Sequence, residues 1–149
     1  MTKTVAIIDD HEIVREGIKL LLSQYDMFKV IFDAESPQSI PDQSENIDIV
    51  ILDLSFNLGL CDLSSIDYVK SKIPGSDILV FSMMDESIFG LDVIKYGVKG
   101  FVSKNSSGQH LIQGLKTVSE GGVYLSNKLS ELLAKQFSKP EKALIDHLS

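Results

Sequence analysis

The sequence predicts an α/β fold: an open, doubly wound parallel sheet with helices on both of its faces. Three observations point there. Short, nearly continuous apolar runs alternate with amphipathic stretches of helical period over roughly the first 120 residues. Those runs read as strands buried on both faces, and several end abruptly in an acidic or polar residue. Strands alternating with helices imply parallel pairing through right-handed crossovers. A chain of 149 residues, 44% hydrophobic and 23% charged, is an ordinary globular composition for one domain.

The elements follow in order. Thr4 to Ile8 is the first strand and runs into Asp9-Asp10. From Ile13 the period changes, and Ile13, Val14, Gly17, Ile18, Leu21 and Leu22 share one face of a helix. Phe28 to Ala34 is the second strand. The polar segment Glu35 to Asn46, interrupted by Pro37 and Pro41, holds at most a short, poor helix. Ile47 to Asp53 is the third strand, followed by an irregular stretch from Leu54 to Leu60 and a helix over Ser64 to Lys72 closed by Pro74-Gly75. Asp77 to Ser82 is the fourth strand, Glu86 to Tyr96 a helix ended by Gly97, and Gly100 to Ser103 the fifth strand. Gln109 to Glu120 is a helix with Leu111, Ile112, Leu115 and Val118 facing inward, stopped by Gly121-Gly122.

The tail is different in kind. Ser126 reads as an N-cap, with Leu129, Leu132, Leu133 and Phe137 marking one helical face after it. Ser138-Lys-Pro-Glu141 reads as a capping box that opens another helix bearing Leu144 and Leu148. From composition alone, two readings stand level: a C-terminal helix docked on the sheet, and the start of a further domain.

Composition excludes several chemistries. The single Cys61 allows no internal disulfide framework and no Cys-based zinc site, and lies in a loop as a bystander thiol. His11, His110 and His147 show no ligand spacing. No P-loop, no GxGxxG after a strand, no zincin motif and no GxSxG elbow occurs. No apolar run is long enough to span a bilayer. With no basic-then-apolar leader, the expected location is cytoplasmic. A net charge of −7 argues against these residues gripping a phosphate backbone themselves.

The strand ends carry the chemistry, because ligands in such sheets bind outside the carboxyl ends of the strands. Asp9 and Asp10 end the first strand, Asp53 the third and Ser82 the fourth, and the fifth runs into Lys104. Three carboxylates converging on one rim repel one another unless a cation joins them, and a hard divalent ion such as Mg²⁺ resolves that conflict. A hydroxyl and an ammonium beside them complete a site for a phosphoryl group, which a carboxylate can attack. Taken singly, an acid at a strand end is often a helix cap, as Asp10 would be for the first helix. The set of five on successive strand ends favours the functional reading.

These residues resemble the receiver domain of two-component response regulators over about residues 3 to 124. Asp9-Asp10-His11, Ile51-Leu-Asp53, Val80-Phe-Ser82 and Gly100-Phe-Val-Ser-Lys104 carry the match. The resemblance implies a flavodoxin-like (βα)5 fold with strand order 2-1-3-4-5 and Asp53 as phospho-acceptor. Asp10 and Asp53 would bind Mg²⁺ directly, Asp9 largely through water, and the Ser55 backbone carbonyl would be a further ligand. Ser82 would be the switch hydroxyl, Lys104 the phosphate partner, and Phe101 the switch aromatic. Core packing is an equally compatible role for Phe101. Glu120-Gly-Gly-Val-Tyr-Leu125 and Phe137 to Ile145 are similar to the NarL/FixJ (LuxR-type) subfamily. That implies a receiver domain over 1–124, then a helical linker and the start of a truncated LuxR-type helix-turn-helix domain over 125–149. The implied partners are a sensor histidine kinase, a second copy on phosphorylation, and DNA through the absent domain only, with no membrane.

Two departures matter. Ser55-Phe56-Asn57-Leu58-Gly59 stands where the family usually has Met-Pro, which frees the backbone near the metal-binding carbonyl. Met84, two beyond Ser82, is expected to slow hydrolysis of an acyl phosphate by presenting an apolar side chain. Of other function classes, a phosphohydrolase of the haloacid dehalogenase type needs a second acid two residues after its nucleophile, where this chain has Ser55. A pseudo-receiver, working as an interaction module without phosphorylation, is the alternative that the altered loop leaves open. The chain is not expected to turn over an external substrate.

Overall fold

The computed structural model describes residues 2–42, 46–54, 56–57, 60–61 and 63–137. Strand β1 (Lys3–Ile8) leads into helix α1 (Glu12–Leu22), then β2 (Phe28–Ala34) and a single 3-10 turn over Pro37–Ser39. Next come β3 (Ile49–Leu52), two short strands β4 (Phe56–Asn57) and β5 (Leu60–Cys61), and α2 (Ser64–Lys72). The chain continues through β6 (Asp77–Ser82), α3 (Glu86–Lys95), β7 (Gly100–Ser103), α4 (Gly108–Ser119) and α5 (Asn127–Phe137). The five long strands form one parallel sheet in the order β2-β1-β3-β6-β7. Counted among themselves, they run 2-1-3-4-5, as expected.

Alternation along the strands divides the core in two. Val5, Ile7, Ile49 and Ile51 point to the face covered by Ile18 and Leu22 of α1 and by Leu111, Ile112, Leu115 and Val118 of α4. Ala6, Ile8, Val50 and Leu52 point to the other face, where Ile66 and Val69 of α2, Val93 of α3 and Leu129 of α5 pack. Both faces of the parallel sheet are therefore dry, which is why its strands read as unbroken apolar runs.

Two features depart from the sequence expectation, and one meets it. As expected, the second crossover holds only a short 3-10 turn: Pro37 is tolerated in its first turn, but Pro41 keeps Ile40 extended at φ −62° and ψ 129°, which ends it. The stretch after Leu54 is not wholly irregular: Phe56 pairs with Cys61 and Asn57 with Leu60, antiparallel. Ile13 is 85% exposed, although its spacing puts it on the apolar stripe of α1.

Beyond α4, Gly121 takes a positive φ of 87°, which lets the chain reverse. Tyr124 then bridges to Gly100, its N–H donating to the Lys99 carbonyl and its carbonyl accepting from Phe101 N–H, so this segment covers the free edge of β7. Ser126 caps α5 as read from the sequence, its Oγ accepting from Leu129 N–H at 3.1 Å. Leu129 is fully buried against Gly90 of α3, so the helix is docked on the sheet domain. The capping box at 138–141 and the apolar positions Leu144 and Leu148 lie outside the described residues.

Candidate functional site

Strand register assembles the site. Ile8 lies beside Leu52, and Asp53 N–H donates to the Ile8 carbonyl at 2.9 Å, which brings the Asp9 and Asp53 carboxylates to one rim. Ser82 lies beside Ser103, and Lys104 N–H donates to the Ser82 carbonyl at 2.9 Å, which brings the ammonium to the same rim. The Lys104 Nζ reaches Asp9 Oδ2 at 2.7 Å and Asp53 Oδ2 at 3.1 Å. Its Nζ lies 6.0 Å from the centre of the Phe81 ring.

The acids differ in setting. Asp9 is buried, and its Oδ1 accepts the His11 backbone N–H at 2.9 Å and lies 3.1 Å from His11 Nδ1. Asp10 is 62% exposed, with Oδ1 at 2.9 Å from the same His11 Nδ1. It does not cap α1: the N-cap residue is His11, with no side-chain capping bond. Asp53 is only 10% exposed, in a cleft of about 240 Å³ lined also by Asp9, Asp10, Glu35 and Ser65. Burial, with the charge of Asp9 and a lesser push from Asp10, raises the Asp53 carboxyl above the usual range despite the opposing pull of Lys104. Burial would lower the Lys104 ammonium, but its hydrogen bonds to Asp9 and Asp53 outweigh that and raise it.

One ligand atom from each of Asp9, Asp10, His11 and Asp53 lies within 4.8 Å of all the others. Three of those donors are carboxylate oxygens, which suits a hard divalent ion with water filling its remaining positions. The Ser55 carbonyl lies outside the described residues.

Ser82 is buried beside the rim. Its hydroxyl donates to the Leu54 carbonyl and accepts from Met84 N–H, both at 3.2 Å. Phe101 is fully buried and packs with Met84 and Leu129 in the core face shared by α3 and α5. Met84 itself is buried there, so its side chain points into the core; at this turn the exposed methionine is Met83. The expected shielding of the rim by Met84 therefore finds no support in where the side chain lies.

Two groups at the rim escaped the sequence reading. His11 shows no ligand spacing to the other histidines, yet its Nδ1 lies 3.1 Å from Asp9 and 2.9 Å from Asp10. Arg15 donates from Nη1 to the Asp9 carbonyl at 2.7 Å and from Nε to Asp33 Oδ2 at 2.8 Å. No local signal in the sequence marks it, because Asp33 lies 18 residues away.

Comparison with known proteins agrees with this geometry. Residues 5–116 match the family described as response regulator receiver domain. The chain is 33% identical over 135 residues to the oxygen regulatory protein NreC of Staphylococcus epidermidis, covering 89% of this chain and 62% of that protein. It thus spans less than two thirds of such relatives. It is similar to the solved structure of a LuxR-family two-component response regulator from Aurantimonas sp., with 25% identity and a TM-score of 0.73 over 93% of this chain and 99% of that one. It is also similar to the isolated receiver domain of RcsB from Salmonella enterica serovar Typhimurium, solved with the phosphomimetic BeF₃⁻, with 25% identity and a TM-score of 0.75 over 89% of this chain and 99% of that one.

Proposed function

Because the chain belongs to the receiver-domain family of response regulators, in its LuxR-type branch, we propose that Asp53 accepts a phosphoryl group from a partner histidine kinase. One observation carries the reading: a carboxylate in a cleft, raised by burial and by neighbouring acids, shares an ammonium with a second acid. An Asp53 oxygen attacks the phosphorus of a phosphohistidine. The new P–O bond forms as the P–N bond breaks, and the electron pair leaves with the imidazole nitrogen. Lys104 is placed to move from the carboxylates to the phosphoryl oxygens, whose charge it offsets.

Asp10 and Asp53 are the carboxylates that would hold Mg²⁺, with Asp9, already engaged by Lys104 and His11, contributing through water. The ion supplies charge neutralisation for the attacking and transferring oxygens. Phosphorylation replaces a single carboxylate charge by a larger one at the rim. The Ser82 hydroxyl is placed to turn toward it, giving up its bonds to Leu54 and Met84, and Phe101 packs against the turn so released. The switched surface then directs a second copy of the chain and a LuxR-type DNA-binding domain. No helix among the described residues is long and apolar enough to cross a membrane, and the chain modifies itself rather than an external substrate.

Intact mass after incubation with Mg²⁺ and acetyl phosphate tests this. A single phosphoryl adduct that disappears with EDTA and in Asp53→Asn is expected. No adduct from any phosphodonor, with no detectable Mg²⁺ binding, would favour the phosphorylation-independent interaction module.

A further inference from the structure

Arg15 has no place in the chemistry just described, yet it is held more firmly than a surface arginine needs to be. Its guanidinium ties together three elements that end at the rim. Nη1 meets the Asp9 carbonyl beyond β1, Nε meets Asp33 on β2, and the side chain springs from α1. Asp33 is fixed in turn by Lys19, one helical turn further along α1, at 3.2 Å. The Asp9 backbone N–H is held from the other side by the Ala34 carbonyl at 3.0 Å. The peptide that joins Asp9 to Asp10 is therefore gripped at its carbonyl and braced through the residue before it. Asp10, by contrast, has a largely exposed side chain whose only charged contact among the described residues is His11.

We propose that Arg15 is a positioning residue for the cation site, orienting the Asp9–Asp10 peptide so that the Asp10 carboxylate stays within reach of Asp53. The inference rests on the reading of this rim as a Mg²⁺-dependent phosphoryl-acceptor site. The guanidinium carries out the task with a fork: one arm takes a carbonyl and the other a carboxylate, a geometry an ammonium cannot reproduce. Outer groups of this kind commonly set metal affinity by orienting the ligands.

Two effects of Arg15 on Mg²⁺ have opposite signs, which makes the idea decidable. As a mere positive charge near the acids, Arg15 repels a dication, so its removal tightens binding. As a positioning group, its removal loosens Asp10 and weakens binding. Titration calorimetry with Mg²⁺ alone, on the full chain, separates the two. Arg15→Met and Arg15→Lys are both expected to raise the Kd by about tenfold. Phosphorylation by acetyl phosphate should recover when Mg²⁺ is made saturating. In an Asp10→Asn background, Arg15→Met should add nothing to the loss, because the group it acts through is gone.

Unchanged or tighter binding in both Arg15 variants overturns the proposal, as does full additivity with Asp10→Asn. If Arg15→Met does not fold, Arg15→Lys, which keeps the charge and the helix propensity, decides alone. A parent chain that binds no Mg²⁺ would instead overturn the acceptor-site reading on which this one stands.

Discussion

Replacing Lys104 by Met removes an ammonium that two nearly buried carboxylates share. Lys104 is 9% exposed, Asp9 2% and Asp53 10%, with contacts at 2.7 and 3.1 Å. At an effective dielectric near 20 these contacts represent about 5–6 kcal/mol of gross attraction each, most of which offsets the cost of burying the charges. Removal leaves the carboxylates facing each other, and breaking a buried pair in this way costs roughly 3–5 kcal/mol. Protonation sets a ceiling. At pH 7 an ordinary carboxyl takes up a proton at a cost of about 4 kcal/mol, so the rim neutralises itself before a larger penalty accrues. The expected loss is about 3–4 kcal/mol, or roughly 6–16 °C in Tm for a chain of this size. The sign with pH follows. Without Lys104 the pull that opposes burial and Asp9 is gone, so the folded-state Asp53 carboxyl titrates further above its unfolded value, the folded state binds the extra proton and the deficit shrinks as pH falls from 7 toward 5. Urea denaturation in EDTA at pH 7 and pH 5 measures both. A loss below about 1 kcal/mol, or one that does not change with pH, would refute the view that Lys104 holds the acids together.

Asp53→Asn should stabilise the metal-free protein at pH 7, because burial and Asp9 raise the Asp53 carboxyl and its ionised form strains the fold. That gain should fade as pH falls into the ordinary carboxylate range, where the native acid is protonated in both states; thermal melts across pH in EDTA test it. Two glycines should respond oppositely to alanine in denaturation. Gly17 on α1 has open space around it, so Gly17→Ala should stabilise by about 0.5–1 kcal/mol. At Gly114 on α4 a Cβ would meet Leu79 at 3.0 Å and Val102 at 3.2 Å, both buried in the core. There Gly114→Ala should cost about 1–3 kcal/mol. Leu129→Ala removes a fully buried anchor of α5 and should cost about 2–4 kcal/mol. Hydrogen exchange over 127–137 should rise with it; unchanged protection there would mean α5 is held by other contacts.

The features legible in the sequence were those with a local cause. Continuous apolar runs set against amphipathic stretches of period 3.6 located the long strands and helices among the described residues, with β2 read to the residue at Phe28–Ala34. Pro37 and Pro41 announced the weak second crossover, and Ser126 announced α5. Asp9, Asp53, Ser82 and Lys104 were legible because strand ends in a parallel sheet converge, whatever the details of packing. What escaped depended on contacts across the fold. Arg15 and Asp33 are 18 residues apart, and nothing local marks them as a pair. Ile13 fits the apolar stripe of α1 but is 85% exposed. Met84 looked like a rim residue by its offset from Ser82, whereas the turn sends its side chain into the core and Met83 outward.

The most direct test of the central claim is to locate the phosphoryl group chemically. The chain is incubated with Mg²⁺ and acetyl phosphate, treated with borohydride to reduce any acyl phosphate to the alcohol, and mapped by tandem mass spectrometry. The account predicts one reduced position, Asp53, present with Mg²⁺ and absent with EDTA. Reduction at Asp9 or Asp10 instead, or none while calorimetry shows Mg²⁺ bound at the rim, would contradict it.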